Sequence, residues 1–324
     1  MTNHHSQDWN NYWQGRSASE GGNALTGVGI ENNAVLSSFW QKTFKPLPQT
    51  ARLVDFACGA GSVLKHAHNA NMKNLTGIDI SGSAIDVLTD KYPSIKGVVC
   101  PVDRTPFNDR EFDIIVSQFG FEYAGGKNQR INTTKEMVRI LKPSGKIVLI
   151  AHIKNGAIMR DCQTSLDQIN MIAKSQFFKI AQSTFIASHN ANNTKSAHDK
   201  NKAESTMKRL NQASKPLLDW LKEENLEKND FAKFIYYLLQ SSNKLLQNYH
   251  KYTPSDGKAW FDGMERETFA YKGRMSSMID AALSQQDAQA LLDTFETAGL
   301  TSNPLEKLHF PQERAPIAWK IQTA

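Results

Sequence analysis

The ten residues from Leu53 to Ser62, Leu-Val-Asp-Phe-Ala-Cys-Gly-Ala-Gly-Ser, constrain the fold more than any other stretch of this 324-residue chain. A short apolar, strand-like run carries Asp55 near its end. It then passes through a tight turn on Gly59 and Gly61 and enters an apolar helix start at Ser62-Val63-Leu64. Glycines between a strand and a helix let a ligand approach the backbone closely and leave N–H groups bare at the helix start. Asp55 is placed to face a cationic group there. The next strand-like run, Leu75-Thr-Gly-Ile-Asp-Ile80, carries Asp79 near its end. That is roughly the twenty-residue spacing at which a carboxylate takes ribose hydroxyls.

From 51 to 153 the chain alternates strand-like and helix-like segments, the pattern of βαβ units and a parallel sheet. The strands are expected at 52–57, 75–80, 95–101, 112–117 and 145–152, with helices beginning near Ser62, Ser83 and Asn128. Ser83-Ala-Ile-Asp86 reads as a capping box before an apolar face. Pro143 and Gly145 punctuate the passage from helix to the fifth strand. Residues 155–285 carry almost no strand signal. They contain a polar tract at 187–215, expected as a linker or exposed helix, and an amphipathic stretch at 216–252. An amphipathic helix is expected from Asp287 to Leu300, ending at Gly299. Two strand-like runs at 304–310 and 315–322 then form a hairpin signal across Pro-Gln-Glu-Arg.

The glycine run is similar to motif I of the class I S-adenosylmethionine-dependent methyltransferases, (Asp/Glu)-x-Gly-x-Gly-x-Gly, and the chain resembles the type 11-like small-molecule branch of that family. Asp55, Gly59 and Gly61 match the motif, and Ala57 stands where its first glycine is expected. The nicotinamide fingerprint Gly-x-Gly-x-x-Gly is not met, because Leu64 occupies its last position. The resemblance covers 51–153 and 286–323. It implies a Rossmann-like α/β sheet of seven strands, mostly parallel with the last antiparallel, and a large helical insert. In that reading residues 1–50 form an N-terminal helical flap and 51–153 with 286–324 form the cofactor domain. Residues 154–285 would be a helical cap.

The same resemblance assigns the site. Asp55 sits near the ammonium of the methionine part of S-adenosyl-L-methionine, with Ala57, Cys58, Gly59 and Gly61 passing close to it. Asp79 takes the ribose hydroxyls and Ile80 packs on the adenine. Val102-Asp103, followed by Arg-Thr-Pro-Phe-Asn-Asp-Arg-Glu-Phe-Asp113, is similar to the family's stretch whose aspartate contacts the adenine amino group. Backbone groups of Ser117 and Gln118 would bond the cofactor ammonium. Glu122, Tyr123 and His152 are the catalytic candidates: Glu122 and Tyr123 at the acceptor edge, His152 as a base near neutral pH. Trp13, in the aromatic cluster Asp8-Trp-Asn-Asn-Tyr-Trp13, would belong to a flap over the cofactor. Asn/Asp-Pro-Pro-Tyr, the signature of amino-group methylation on nucleobases, is absent, which counts against a DNA substrate.

Composition sets outer bounds. Hydrophobic residues make up 40% and charged residues 22%, and the net charge is +6. That balance suits a soluble protein and falls short of the concentrated basic stripe of a dedicated nucleic-acid binder. No apolar stretch approaches the roughly 20 residues that span a bilayer, and the N-terminus lacks a signal-peptide pattern. Three cysteines form no Cys-x-x-Cys pair, and no metal-spaced ligand set is present. The expectation is a cytoplasmic methyltransferase acting on a small-molecule acceptor, with no metal. Two alternatives stay open. One is an RNA or protein methyltransferase, given the net charge and the Lys-rich 195–215 tract. The other is a non-catalytic protein that binds the cofactor or a partner through its insert.

Overall fold

The structure, a computed structural model, describes residues 34–226, 229–311 and 314–324. The chain divides into two compact units. Among the described residues, one comprises 34–163 and 276–324 and the other 164–275. Trp13 and the rest of the proposed flap before residue 34 lie outside the described residues.

In the first unit, α1 (Ala34–Phe44) precedes β1 (Arg52–Phe56), α2 (Leu64–Asn69), β2 (Asn74–Asp79), α3 (Gly82–Lys91) and β3 (Lys96–Val99). Then come β4 (Phe112–Gln118), a 3₁₀ turn (Phe121–Ala124), α4 (Lys127–Ile140) and β5 (Leu141–His152). After the second unit, α10 (Gln285–Thr297), β6 (Glu306–Leu308) and β7 (Ala318–Gln322) complete the sheet. The strand order is β3-β2-β1-β4-β5-β7-β6. The first five strands are parallel, β7 runs antiparallel to β5, and β6 antiparallel to β7. This is the seven-stranded, mostly parallel sheet expected for the family. Chain order reverses between β1 and β4, so the crevice beyond their carboxyl ends is where an open α/β sheet receives a ligand.

The strands read as apolar runs because helices cover both faces. Val54 and Phe56 from β1, Ile115 from β4, Ile147 and Leu149 from β5, and Phe295 from α10 share one buried core. Phe56, Phe112, Phe121 and Phe295 are sealed from solvent, each contributing on the order of 2–3 kcal/mol by burial. Trp40 of α1 stacks on Phe44 and donates Nε1–H to Gln118 Oε1 at 2.6 Å, which ties this helix to the end of β4.

Two local expectations are corrected. The cap of α3 is Ser81, whose hydroxyl accepts from the Ala84 N–H at 3.3 Å; the Ser83–Asp86 box does not form. Ser81 wins because the Asp79 carboxylate takes its N–H at 2.9 Å and starts the helix two residues earlier. Pro143 and Gly145 do not precede β5 but lie within it: the strand begins at Leu141, and the β4 pairing shifts register between Phe112 and Ile114 to absorb them. The real capping box is Ser284 with Asp287, at the start of α10.

The second unit is helical: the rest of α5 (Ala157–Ser175), α6 (Phe177–Thr194), α7 (Ala197–Glu223), α8 (Asp230–Gln247) and most of α9 (Pro254–Ala281). The polar 187–215 tract forms the end of α6 and the first turns of α7, which bury only Thr206, Leu210 and Ala213 before residue 216. Phe185, Leu217, Phe234, Leu238 and Phe261 are sealed inside this unit, and Phe231 stacks on Tyr271. Trp260 meets Phe261 edge to face, whereas Tyr252 and Phe269 are exposed.

Candidate functional site

The first cluster gathers at the ends of β1 and β2. Asp55 is 1% exposed, and among the described residues neither carboxylate oxygen has a hydrogen-bond partner. Burial, with the neighbouring Asp79 charge, pushes its pKa well above the ordinary carboxylate range. Buried polar groups are almost always satisfied, and an unpaired buried charge is among the costliest features a fold can carry. Asp55 therefore has the character of a group completed from outside the chain.

The turn that follows is held from the next strand. Asp79 Oδ2 accepts the Gly59 N–H at 2.9 Å and Oδ1 accepts the Ser81 N–H at 2.9 Å. Burial raises the Asp79 pKa, while the backbone N–H groups of Ser81, Gly59 and Ile80 oppose that rise. A carboxylate has about four acceptor sites, so these backbone donors leave it capacity to accept from a ribose hydroxyl. Cys58 donates its own N–H to Ile78 O at 2.9 Å, and its thiol is kept protonated by burial and by the charges of Asp79 and Asp55. Gly61 has φ +84°, and a Cβ there would lie 2.4 Å from a Leu88 methyl, so a side chain at this position is strained. Ala57 adopts φ +53°, a left-handed conformation that explains why the motif prefers glycine there. Across the switch point a Cβ on Gly120 would lie 2.7 Å from Ala57 O, so the β1 and β4 turns touch backbone to backbone.

Beyond Asp79 the surface turns apolar. Ile80 is 47% exposed and Val99, paired with Asp79 across β2 and β3, is 56% exposed. Two large aliphatic side chains open at adjacent strand ends suit the face of a flat heterocycle. Asp103 is exposed nearby in sequence, and Val102 is buried. Val99 escaped the sequence reading, since nothing in a short apolar strand marks which residue stays uncovered.

The second cluster gathers at the ends of β4 and β5. Ser117 is sealed: its hydroxyl donates to Phe56 O at 2.7 Å and accepts the Phe121 N–H at 3.1 Å. It latches β4 to β1 and opens the 3₁₀ turn. The Gln118 side chain is engaged by Trp40. Glu122, 0% exposed, is not the solvated helix-start residue that its position alone allowed. Its Oε1 accepts the backbone N–H of His152 at 3.0 Å and lies 2.8 Å from Nδ1 of the same residue. Its Oε2 is sealed without a partner. His152, 2% exposed at the end of β5, stacks on Phe119 (4.3 Å between centroids) and meets the Tyr123 ring edge-on at 5.9 Å. Phe119 holds φ +53°, a rare state for a bulky residue. Tyr123 is half-buried, and burial together with the Glu122 charge pushes its phenol well above the ordinary value. The sequence placed Glu122, Tyr123 and His152 at one edge; the pairing across 30 positions and the role of Phe119 had no local signal.

Comparison with known proteins follows the same region. The methyltransferase-domain family matches residues 54–149. A "Ubiquinone/menaquinone biosynthesis C-methyltransferase UbiE" of Geotalea daltonii is 32% identical over 35% of this chain and 49% of its own length. A "Probable tRNA methyltransferase 9B" of Mus musculus is 31% identical over 30% of this chain and 21% of its own. The chain spans about half, or less, of the length of such curated relatives. Among solved structures, an S-adenosylmethionine-dependent methyltransferase from Mesorhizobium loti is 20% identical, with a TM-score of 0.33, over 38% of this chain and 56% of that one.

Proposed function

We propose that this chain, whose sheet unit carries a class I S-adenosylmethionine-dependent methyltransferase domain, transfers a methyl group to a small-molecule acceptor. The observation that carries the reading is Asp55, a sealed carboxylate with two unpartnered oxygens beside a glycine turn. The ammonium of a bound methionine moiety supplies the missing donors. Asp79 takes the ribose hydroxyls with its remaining lone pairs, and Ile80, Val99 and Asp103 form the adenine end. The Ala57–Gly61 turn gives the close backbone approach.

When bound, S-adenosylmethionine supplies a methyl group already activated on a positively charged sulfur. The chain's own task is then largely positional, because near-attack alignment of two bound partners provides much of the rate. The Phe119–Glu122 segment and His152 form the acceptor edge, at the strand ends next to those that bear the cofactor residues. Asp55 also places a negative charge in a low-dielectric site, where its attraction for a cation is strong. Among the described residues no group of three or more His, Cys, Asp or Glu side chains is placed to hold a metal ion. No described helix is long and apolar enough to cross a membrane.

Titration calorimetry with S-adenosylhomocysteine tests this reading. Saturable binding is expected, and a folded protein that shows none at millimolar ligand overturns it. An RNA acceptor is the second reading, favoured by the name of the mouse relative and by exposed Lys200, Lys202, Lys208 and Arg209 on α7. It requires RNA retention that falls steeply with salt, with a log-log slope of several units. A flat salt profile leaves the small-molecule reading.

A further inference from the structure

We infer that Glu122 and His152 form a proton-accepting dyad, and that the acceptor is methylated at a phenol- or enol-type group that gives its proton to His152 Nε2. The inference rests on the methyl-transfer reading and adds the substrate class to it.

Glu122 grips His152 twice, at the backbone N–H (3.0 Å) and at ring Nδ1 (2.8 Å). A carboxylate acceptor at Nδ1 places the ring proton there and leaves the lone pair on Nε2. Glu122 Oε2 is among the sealed, unpartnered polar atoms of the described residues, and His152 Nε2 is not. No described residue hydrogen-bonds Nε2, so the ring keeps one bare nitrogen with surface. Most buried polar side-chain atoms are paired, and Nε2 differs from the sealed Nε2 of His189 in keeping surface.

The ring is also immobilised. Phe119 covers one face at an interplanar angle of 29°, and Tyr123 abuts it edge-on. The Phe119 ring reaches that place through a left-handed backbone at φ +53°, and such strain clusters at sites where geometry matters. Among the described residues, the titratable groups in contact with the imidazole are Glu122 and Tyr123, with Cys162 of α5 behind Tyr123. Tyr123 is pushed well above its ordinary range, and burial, aided by Asp161, pushes Cys162 up to about 12. Both stay neutral at working pH, so of these groups Glu122 alone sets a charge against an imidazolium.

The step balances. The acceptor O–H or activated C–H gives its proton to Nε2, and the electron pair left behind forms the bond to the methyl carbon. The carbon–sulfur bond breaks with its electrons returning to sulfur, which loses its positive charge. The imidazolium, neutralised by Glu122, later releases its proton to water. An imidazole base is matched to phenols and enols, whose acidity lies within a few units of its own; unactivated alcohols are too weak as acids. Tertiary amines and thioethers have no proton to give and would need no such pair.

Two readouts test the dyad. In ¹⁵N-histidine-labelled protein with S-adenosylhomocysteine, NMR should show His152 as the Nδ1–H tautomer, and Glu122→Gln should shift it toward Nε2–H. An Nε2–H tautomer in the wild type overturns the inference whatever the activity. In the second, methyl-labelled S-adenosylmethionine is incubated with cell extract. Wild-type product should be phenol- or enol-derived. His152→Gln and the isosteric Glu122→Gln should lower labelling about 100-fold, while S-adenosylhomocysteine affinity stays within twofold. Full rates in His152→Gln, or label on a tertiary amine or thioether, overturn the dyad alone. A wild type that binds S-adenosylhomocysteine yet labels nothing removes the transfer reading, and the dyad with it.

Discussion

At the end of β1, Asp55 buries both carboxylate oxygens without a donor among the described residues, whereas Glu122, four residues past β4, receives two donors from His152. Both acids are sealed, and both sit beside a residue in a left-handed conformation, Ala57 in one case and Phe119 in the other. They differ in where their partner comes from. Glu122 is answered by the protein and so orients a neighbour. Among the described residues nothing answers Asp55, as suits a carboxylate kept for a cationic ligand. A sealed charge by itself is ambiguous, and its hydrogen-bond ledger separates an orienting role from a binding one.

The largest expected effect breaks that contrast outright. Asp55→Asn should weaken S-adenosylhomocysteine binding by at least about 100-fold, because losing one partner of a buried charge pair costs roughly 2–5 kcal/mol. Glu122→Gln should leave that affinity within twofold. Calorimetry on both variants decides it, and equal losses would erase the distinction. Next comes Asp79→Ala, which removes a charged acceptor and frees the Gly59 N–H. A loss on the order of 2 kcal/mol in the same titration is expected, and unchanged affinity would take Asp79 out of the site.

The third prediction concerns the ligand-free protein. Burial raises the Asp55 pKa above its unfolded value, so the folded state holds this proton more tightly than the unfolded chain. The resulting penalty is absent below the ordinary carboxylate range and grows as pH rises through the raised value. Wild type minus Asp55→Asn isolates it from Asp113, Glu136 and Asp287, whose lowered pKa values act with the opposite sign. Denaturant unfolding at several pH values should show Asp55→Asn gaining on the order of 1 kcal/mol near neutrality and losing that advantage in acid. A constant difference would mean that Asp55 is not unpaired. The smallest effect is Ala57→Gly. Relief of a left-handed alanine, roughly 1–2 kcal/mol, is offset by the larger freedom of unfolded glycine, about 0.4–1 kcal/mol. A net gain below about 1 kcal/mol in thermal unfolding is expected, with cofactor affinity unchanged.

The glycine turn and the strand-end acids were legible because local chain geometry writes them: strand, tight turn, helix, at a spacing set by one βα unit. The parallel pairing of the first five strands followed from the same alternation. What stayed illegible depends on groups brought together from afar. Nothing near Asp55 in sequence says that its oxygens find no donor, and nothing near Glu122 says that its partner lies 30 residues on. Ser81 capped α3 in place of Ser83 because Asp79 had already fixed its N–H. Pro143 and Gly145 read as terminators yet lie inside β5, where a register shift accommodates them. Ser117, read for its backbone, spends its hydroxyl latching two strands.

The pairing of β5 with β7 sets a timetable for synthesis. His152 pairs with Ala318 and Val148 with Gln322, so the strand that closes this edge leaves the ribosome long after the strand it closes. At about 5–20 residues per second, the interval is on the order of ten to thirty seconds. During it the edge of β5 that β7 covers has no strand to pair with while the helices of 164–275 emerge. An unpaired apolar strand invites wrong partners, so truncation before residue 318 should yield an aggregating sheet rather than a smaller working one.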